Sequence, residues 1–292
     1  MQSDNSGAMA VREAVNSDLL ERLDRQSERI ETPCGNGRMV WRRWGSGPII
    51  ILLHGGFGSW NHWCRNIVTL ARESTVIAPD LPGLGESDVP GDPGDPEHLA
   101  RILSNGLDEI LGPDVRFDLG CFSFGAVPGS LLAVSYAERV RSFTLVGAAG
   151  FGPRDRPTDG LIRIRRDMDE ATRRTAARNN LEVLMFADPS KVDDLAVDIQ
   201  LCNTDRARFR SRPFSLSDTV LQALPKIRAR RNAIWGAEDV TALGMLERRN
   251  AAVRAADPDA HVAVIEAAGH WVQYEAADEF NRSFLEMVRR SA

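Results

Sequence analysis

At 292 residues the chain has room for one large domain, with or without an insertion, and for a substantial hydrophobic core. Its composition, 43% hydrophobic and 26% charged, is that of an ordinary globular protein, and a formal net charge of −5 leaves no basic excess to attract a nucleic acid. The irregular spacing of Cys34, Cys64, Cys121 and Cys202 makes neither a CxxC metal pattern nor a disulfide framework, so free thiols in a reducing compartment are expected.

Residues 1–16 read as a loose tail without the apolar stretch of a secretory signal. No apolar run reaches the roughly 18 residues of a membrane span. A cytoplasmic protein without membrane contact is therefore expected. Leu19, Leu20, Leu23 and Ile30 recur at helical spacing, with Ser17 available as a cap. Ile49 to Leu53 is wholly apolar, as a parallel strand buried on both faces must be. Further strands are expected at Thr75–Ala78, Val115–Gly120, Ser142–Val146, Ala233–Trp235 and His261–Ile265. Helical patterns lie between most of them. The last helix carries Phe280, Phe284, Met287 and Val288 on one face. Strand–helix alternation predicts an α/β fold: a mostly parallel central sheet with helices on both faces.

One region breaks that rhythm. Residues 152–212 hold no convincing strand, are Arg-rich, and have apolar spots at Leu181, Val183, Leu184, Met185 and Phe186. Gly150, Gly152 and Pro153 punctuate the start and Pro213 the end. We read this stretch as a helical cap inserted into a core formed by residues 1–151 and 213–292. About sixty residues is long for the alternative, two ordinary helices on the sheet face. Arg165, Arg166, Arg173, Arg174 and Arg178 are balanced by Asp167, Asp169, Glu170 and Glu182, which favours a solvated helix face over carboxylate recognition.

The chemistry gathers at the ends of the expected strands. In the run from Asp118 to Ala126, a strand leads into Ser123, flanked two residues away by the small Cys121 and Gly125, and a helix follows. A sharp strand-to-helix turn needs small flanks, exposes the hydroxyl, and aims a helix N-terminus at it. His54-Gly55-Gly56-Phe57-Gly58 follows the first apolar strand. Glycine there lets backbone approach a substrate oxygen, so the Gly56 and Phe124 N–H groups are candidate oxyanion donors. A nucleotide-binding loop is the rival, but the third glycine of GxGxxG is missing.

A serine nucleophile needs a base. His54 sits in the glycine loop, His62 beside it, His98 in a polar segment and His261 at a strand start. His270 alone lies in a loop between the last strand and the last helix, on the same sheet edge as Ser123. Asp239, after Trp235-Gly236-Ala237-Glu238, is the expected acid, with Glu238 as the fallback.

Four blocks in this order resemble the α/β-hydrolase superfamily, from about Arg38 to Val288: His54–Gly58, Asp80–Ser87, the turn at Ser123, and the pair Asp239 and His270. The order serine, acid, histidine fits that arrangement. Within the superfamily, Gly269–Glu275 with Phe280-Asn281-Arg282 resembles the meta-cleavage-product hydrolases, which cut carbon–carbon bonds in vinylogous 1,5-diketones. Three features depart from that branch. Phe122 stands where those enzymes have Asn. Phe57 interrupts their Gly-Gly-Gly-Pro loop. Ile199 or Gln200 stands near their carboxylate-binding Arg, with Arg206, Arg208 and Arg210 close by.

The resemblance implies a serine hydrolase without metal or organic cofactor. An ester or thioester of a small molecule is the first expectation, and C–C hydrolysis is second. Cofactor-free haloperoxidase-like activity and a non-catalytic small-molecule receptor are distant alternatives. Epoxide hydrolases and dehalogenases use Asp where this chain has Ser123. Phe57, His62, Phe122, Met185, Phe186 and Trp271 are the candidate pocket residues. A homo-oligomer is compatible with the sequence.

Overall fold

Eight strands form one sheet in the order β1-β2-β4-β3-β5-β6-β7-β8. The computed structural model describes residues 18–91, 95–153 and 160–291. The expected tail at residues 1–16 and the start of the insertion at 154–159 lie outside them. In chain order the elements are α1 (residues 18–26), β1 (Glu28–Cys34), β2 (Gly37–Trp44), β3 (Ile49–Leu53), α2 (Ile67–Leu70), β4 (Thr75–Pro79), α3 (Pro96–Leu111), β5 (Phe117–Phe122), α4 (Ala126–Ser135) and β6 (Val140–Val146). There follow α5 (Glu170–Leu184), α6 (Asp194–Arg206), α7 (Arg212–Ser215), α8 (Thr219–Ala223), β7 (Arg230–Gly236), α9 (Leu246–Ala256), β8 (Val262–Ile265), α10 (Val272–Glu275) and α11 (Ala277–Arg289).

The strands from β3 to β8 pair in parallel, while β2 runs antiparallel to both β1 and β4. Parallel pairing demands crossovers, and the long helices supply them. Alternate side chains serve the two faces. Ile51 and Leu53 of β3 join a cluster with Leu103 of α3, Leu132 of α4 and Val253 of α9. Ile50 and Leu52 join the opposite cluster with Ile67 of α2 and Phe280, Phe284 and Met287 of α11. Burial on both sides explains why β3 is apolar throughout.

The hairpin of β1 and β2 replaces the longer helix expected from Leu19 to Ile30. The helix ends at residue 26, and Ile30 pairs with Trp41 in the sheet. Between β6 and β7, the described residues of 152–212 contain helices and no strand. Asp169 caps α5 by accepting the Thr172 N–H at 2.9 Å, and Asp193 caps α6 through the Ala196 N–H at 2.9 Å. Among the described residues no helix is long and apolar enough to cross a membrane.

The carboxyl ends of β3, β5, β7 and β8 open on one rim. The loops leaving it carry Gly56, Ser123, Asp239 and His270.

Candidate active site

Ser123 stands at the junction of β5 and the short turn that leads into α4, with φ of 50°. A non-glycine residue at positive φ stores strain, and it persists only where surrounding structure enforces it. The enforcement is visible. A Cβ on Gly125 would lie 2.6 Å from the His54 carbonyl oxygen, so only glycine lets the turn pass under β3. Gly129, one helical turn on, leaves the space that the Cys121 thiol fills. The Ala149 N–H, after β6, donates to the Ser123 carbonyl at 3.1 Å and ties the turn down from the other side.

The Ser123 hydroxyl donates to His270 Nε2 at 3.0 Å. On the other side of the ring, His270 Nδ1–H donates to Asp239 Oδ2 at 2.9 Å. Asp239 is buried, and burial alone would raise its pKa. The His270 charge and hydrogen bond, with hydrogen bonds from Thr241, outweigh that cost and hold the carboxyl below its ordinary value. The Thr241 N–H reaches Asp239 Oδ1 at 2.7 Å, and Thr241 Oγ1 lies 3.1 Å from His270 Nδ1. Glu238, the fallback acid, is exposed.

The other histidines have different surroundings. His54 is fully buried. Its Nδ1–H donates to the Gly55 carbonyl at 2.7 Å and its Nε2 accepts the Leu81 N–H at 2.8 Å. Burial lowers its pKa to about 4, so it is a neutral strut between the glycine loop and the segment after β4. His62 Nδ1 accepts the Gly55 N–H at 3.3 Å, and burial holds this imidazole neutral as well. His98 lies in the first turn of α3 and His261 immediately before β8; neither is a hydrogen-bond partner of Ser123 or Asp239 among the described residues.

The backbones at Gly56 and Phe124 adjoin: a Cβ on Gly56 would sit 3.6 Å from the Phe124 Cβ and would collide with the Ser211 hydroxyl. A side chain at 56 would have to displace the Ser211 hydroxyl. The Phe124 side chain points away and packs on Phe209 with ring centres 5.7 Å apart.

A cavity of about 800 Å³ opens over Ser123 and His270. Its floor includes Gly55, Gly56, His62 and Phe122, and α5, α6 and their flanking loops supply the opposite wall, Leu161, Ile162, Met185 and Gln200 among them. Phe57 also lines it and is half exposed. Two candidates do not line it. Trp271 is buried behind His62, donating Nε1–H to the His62 carbonyl at 3.0 Å and stacking on Tyr274 at 4.2 Å. Phe186 packs edge-on against that same Trp271 at 6.0 Å. Both belong to the buried apolar cluster that also holds Trp63, Tyr274 and Phe280.

Charge in the insertion is largely spent on itself. Arg165 pairs with Asp167, Arg173 with Asp205, Arg174 with Asp194 and Asp198, and Arg178 with Asp194. Arg206 pairs with Glu86, and Arg208 donates to the Ser87 carbonyl. Ile199 is buried, whereas Gln200 faces the cavity. Arg163, Arg210 and Arg212 line the cavity and stay exposed. Of these only Arg210 stood out in the sequence, and neither Thr241 nor Ser211 did. The Asp239-Val240-Thr241 spacing, a carboxylate receiving an N–H two residues on, was the signal for Thr241.

The geometry has counterparts among known proteins. A model described as an alpha/beta hydrolase family matches residues 50–283. The chain belongs to the alpha/beta hydrolase family. As a member it is an enzyme, an α/β-fold hydrolase. It is 31% identical to the 2-hydroxy-6-oxo-6-phenylhexa-2,4-dienoate hydrolase of Burkholderia cepacia, over 84% of this chain and 88% of that one. It is 30% identical to the dihydrolipoyllysine-residue acetyltransferase component of the acetoin cleaving system of Pseudomonas putida, over 84% of this chain; it spans 64% of that protein's length. A meta-cleavage product hydrolase from Pseudomonas fluorescens superposes with a TM-score of 0.73 at 22% identity, over 90% of this chain and 98% of that one, which speaks for the fold.

Proposed function

We propose that this α/β-fold hydrolase is a serine hydrolase of small carboxylic esters or thioesters, working through an acyl-enzyme on Ser123. The observation that carries the reading is the unbroken chain of hydrogen bonds from Ser123 through His270 to Asp239, at 3.0 and 2.9 Å. His270 takes the Ser123 proton as Oγ attacks the substrate carbonyl. Asp239 fixes the imidazole tautomer and stabilises the imidazolium. The Gly56 and Phe124 N–H groups receive the oxyanion. His270 then protonates the leaving alcohol or thiol, and water repeats the sequence on the acyl-enzyme. This chemistry draws on no metal or organic cofactor.

Residues 152–212 act in this reading as a cap that closes the substrate cavity. Phe57, Phe122, Leu161, Ile162 and Met185 around Ser123 suit an apolar acyl or alcohol group. A cytoplasmic setting remains part of the reading and rests on the four free cysteines.

The second reading is hydrolysis of a carbon–carbon bond in a meta-cleavage product. It is supported by the likeness to the Burkholderia cepacia dienoate hydrolase and by Arg163, Arg210 and Arg212 at the cavity mouth, where a substrate carboxylate would sit. Phe122 before Ser123 weighs against it.

The test is a side-by-side panel of p-nitrophenyl esters of rising chain length and a meta-cleavage dienol product. Faster turnover of esters, with an acyl-enzyme burst, is expected. Preference for the dienol would transfer the assignment to C–C hydrolysis. Saturable binding of a ligand without turnover would point to a receptor.

A further inference from the structure

Arg249 on α9 is 2% exposed, yet its acceptors are two main-chain carbonyls: Ala148 at 3.2 Å and Thr241 at 2.9 Å. Its Nε finds no partner among the described residues. The guanidinium lies over Phe151 and Trp235, 5.4 and 5.5 Å from their ring centres. Burying a cation without a carboxylate against it is costly, and neutral aromatic faces repay only part of that cost. Burial pulls its pKa below the ordinary guanidinium value, while the nearby Asp239 charge pulls the other way.

The two carbonyls belong to the loops that hold all three partners of the Ser123–His270–Asp239 chain. Thr241 gives its N–H to Asp239 and sets its hydroxyl 3.1 Å from His270 Nδ1. Ala148 lies between Gly147 and Ala149. A Cβ on Gly147 would stand 3.3 Å from His270 Nδ1, and Ala149 donates to the Ser123 carbonyl. One buried side chain thus spans the loop after β6 and the loop after β7. The titratable groups facing this centre are Asp239 and His270 and, beyond the imidazole, His62, which burial keeps neutral.

We propose that Arg249 is a positioning residue that clamps the Asp239 loop to the Ser123 turn, and that its buried positive charge helps keep the Asp239 carboxylate ionised beside His270. The proposal rests on the serine-hydrolase reading. Removing the cation takes away a charge that favours the ionised form of Asp239, so the acidic limb of activity must move to higher pH. Loosening the clamp lowers kcat through misalignment and leaves KM nearly unchanged, because Arg249 does not line the cavity.

The experiment compares Arg249→Met, Arg249→Lys and Ser123→Ala on p-nitrophenyl butyrate, with active sites counted by a fluorophosphonate in the first two. Arg249→Met is expected to lower kcat by about 10- to 100-fold and to move the acidic limb of kcat/KM upward by about one pH unit. Arg249→Lys keeps the charge but cannot span two carbonyls, so its limb stays with the wild type while kcat falls. Wild-type kcat and limb in Arg249→Met overturn the proposal, as does a lowered melting temperature with an unmoved limb. If the Met variant does not fold, the Lys variant decides, and wild-type kcat there overturns the clamp. Activity surviving in Ser123→Ala refutes the underlying reading instead, whereas an inactive Ser123→Ala beside a wild-type Arg249→Met refutes this inference alone.

Discussion

Gly269, the residue before His270, lies against Ala187 in the segment that joins α5 to α6: a Cβ on Gly269 would stand 2.6 Å from the Ala187 nitrogen. The contact is stitched. Glu275, its side chain wholly buried, accepts the N–H groups of Gly269 at 2.7 Å, Ala187 at 3.0 Å and Asp188 at 2.9 Å. Trp271 adds its own N–H to the Met185 carbonyl at 2.8 Å. The loop that holds the proposed base and the insertion that roofs the cavity are therefore one packed unit.

Gly269→Ala must part these backbones, since no flexible side chain is there to yield. We expect a loss of about 1–3 kcal/mol of stability, read as a lower urea midpoint, together with a reduced kcat. A variant as stable and active as the parent would mean that the contact is slack.

The insertion has a second anchor. Asn203 of α6 donates to Asn61 Oδ1 at 2.8 Å and accepts from Asn61 Nδ2 at 3.1 Å and from Ser59 Oγ at 3.0 Å, all buried. Asn203→Ala strands two buried polar groups and is expected to cost about 1–3 kcal/mol. With α6 loosened, KM should rise and limited proteolysis should cut first in residues 207–211, which follow it. Proteolysis spread evenly over the chain would contradict a role for Asn203 in holding α6 to the core.

Stability should fall on mild acidification. Folded His54 titrates near 4 against an ordinary 6.5, so between those values the unfolded chain binds the extra proton and the folded chain does not. The contribution is complete above pH 6.5 and is lost as pH drops toward 4, by up to about 1.4 kcal/mol per pH unit. His62 is lowered in the same direction. Urea midpoints across that window should slope accordingly, and the slope should flatten in His54→Gln. A flat wild-type profile would show that these imidazoles are not buried neutral.

Much of this was legible in the sequence, for physical reasons. Strands buried on both faces need unbroken apolar runs, so β3 stood out. The positive φ at Ser123 needs small flanks, and Cys121 and Gly125 supplied them. The hairpin of β1 and β2 did not stand out, because β1 is an edge strand with a mostly exposed, charged sequence, Glu-Arg-Ile-Glu-Thr-Pro-Cys. Its signal was Gly35-Asn36, the two residues between the paired Cys34 and Gly37, with Gly35 at φ of 60°. Phe186 and Trp271, expected in the pocket wall, pack in the apolar core instead, because an apolar side chain beside the site shows that a residue is buried, not on which side of its neighbours it packs. Arg249 was invisible for a related reason: among Arg248, Arg249 and Arg254, only tertiary structure says which guanidinium turns inward.

The most direct measurement is the steady-state rate of Ser123→Ala on the best p-nitrophenyl ester, with circular dichroism showing the variant folded. Turnover should fall by about 10⁴-fold or more, as when other enzymes lose a serine of this kind. A folded variant that still turns over ester at the parental rate would remove Ser123 from the chemistry and leave the strained turn without a purpose.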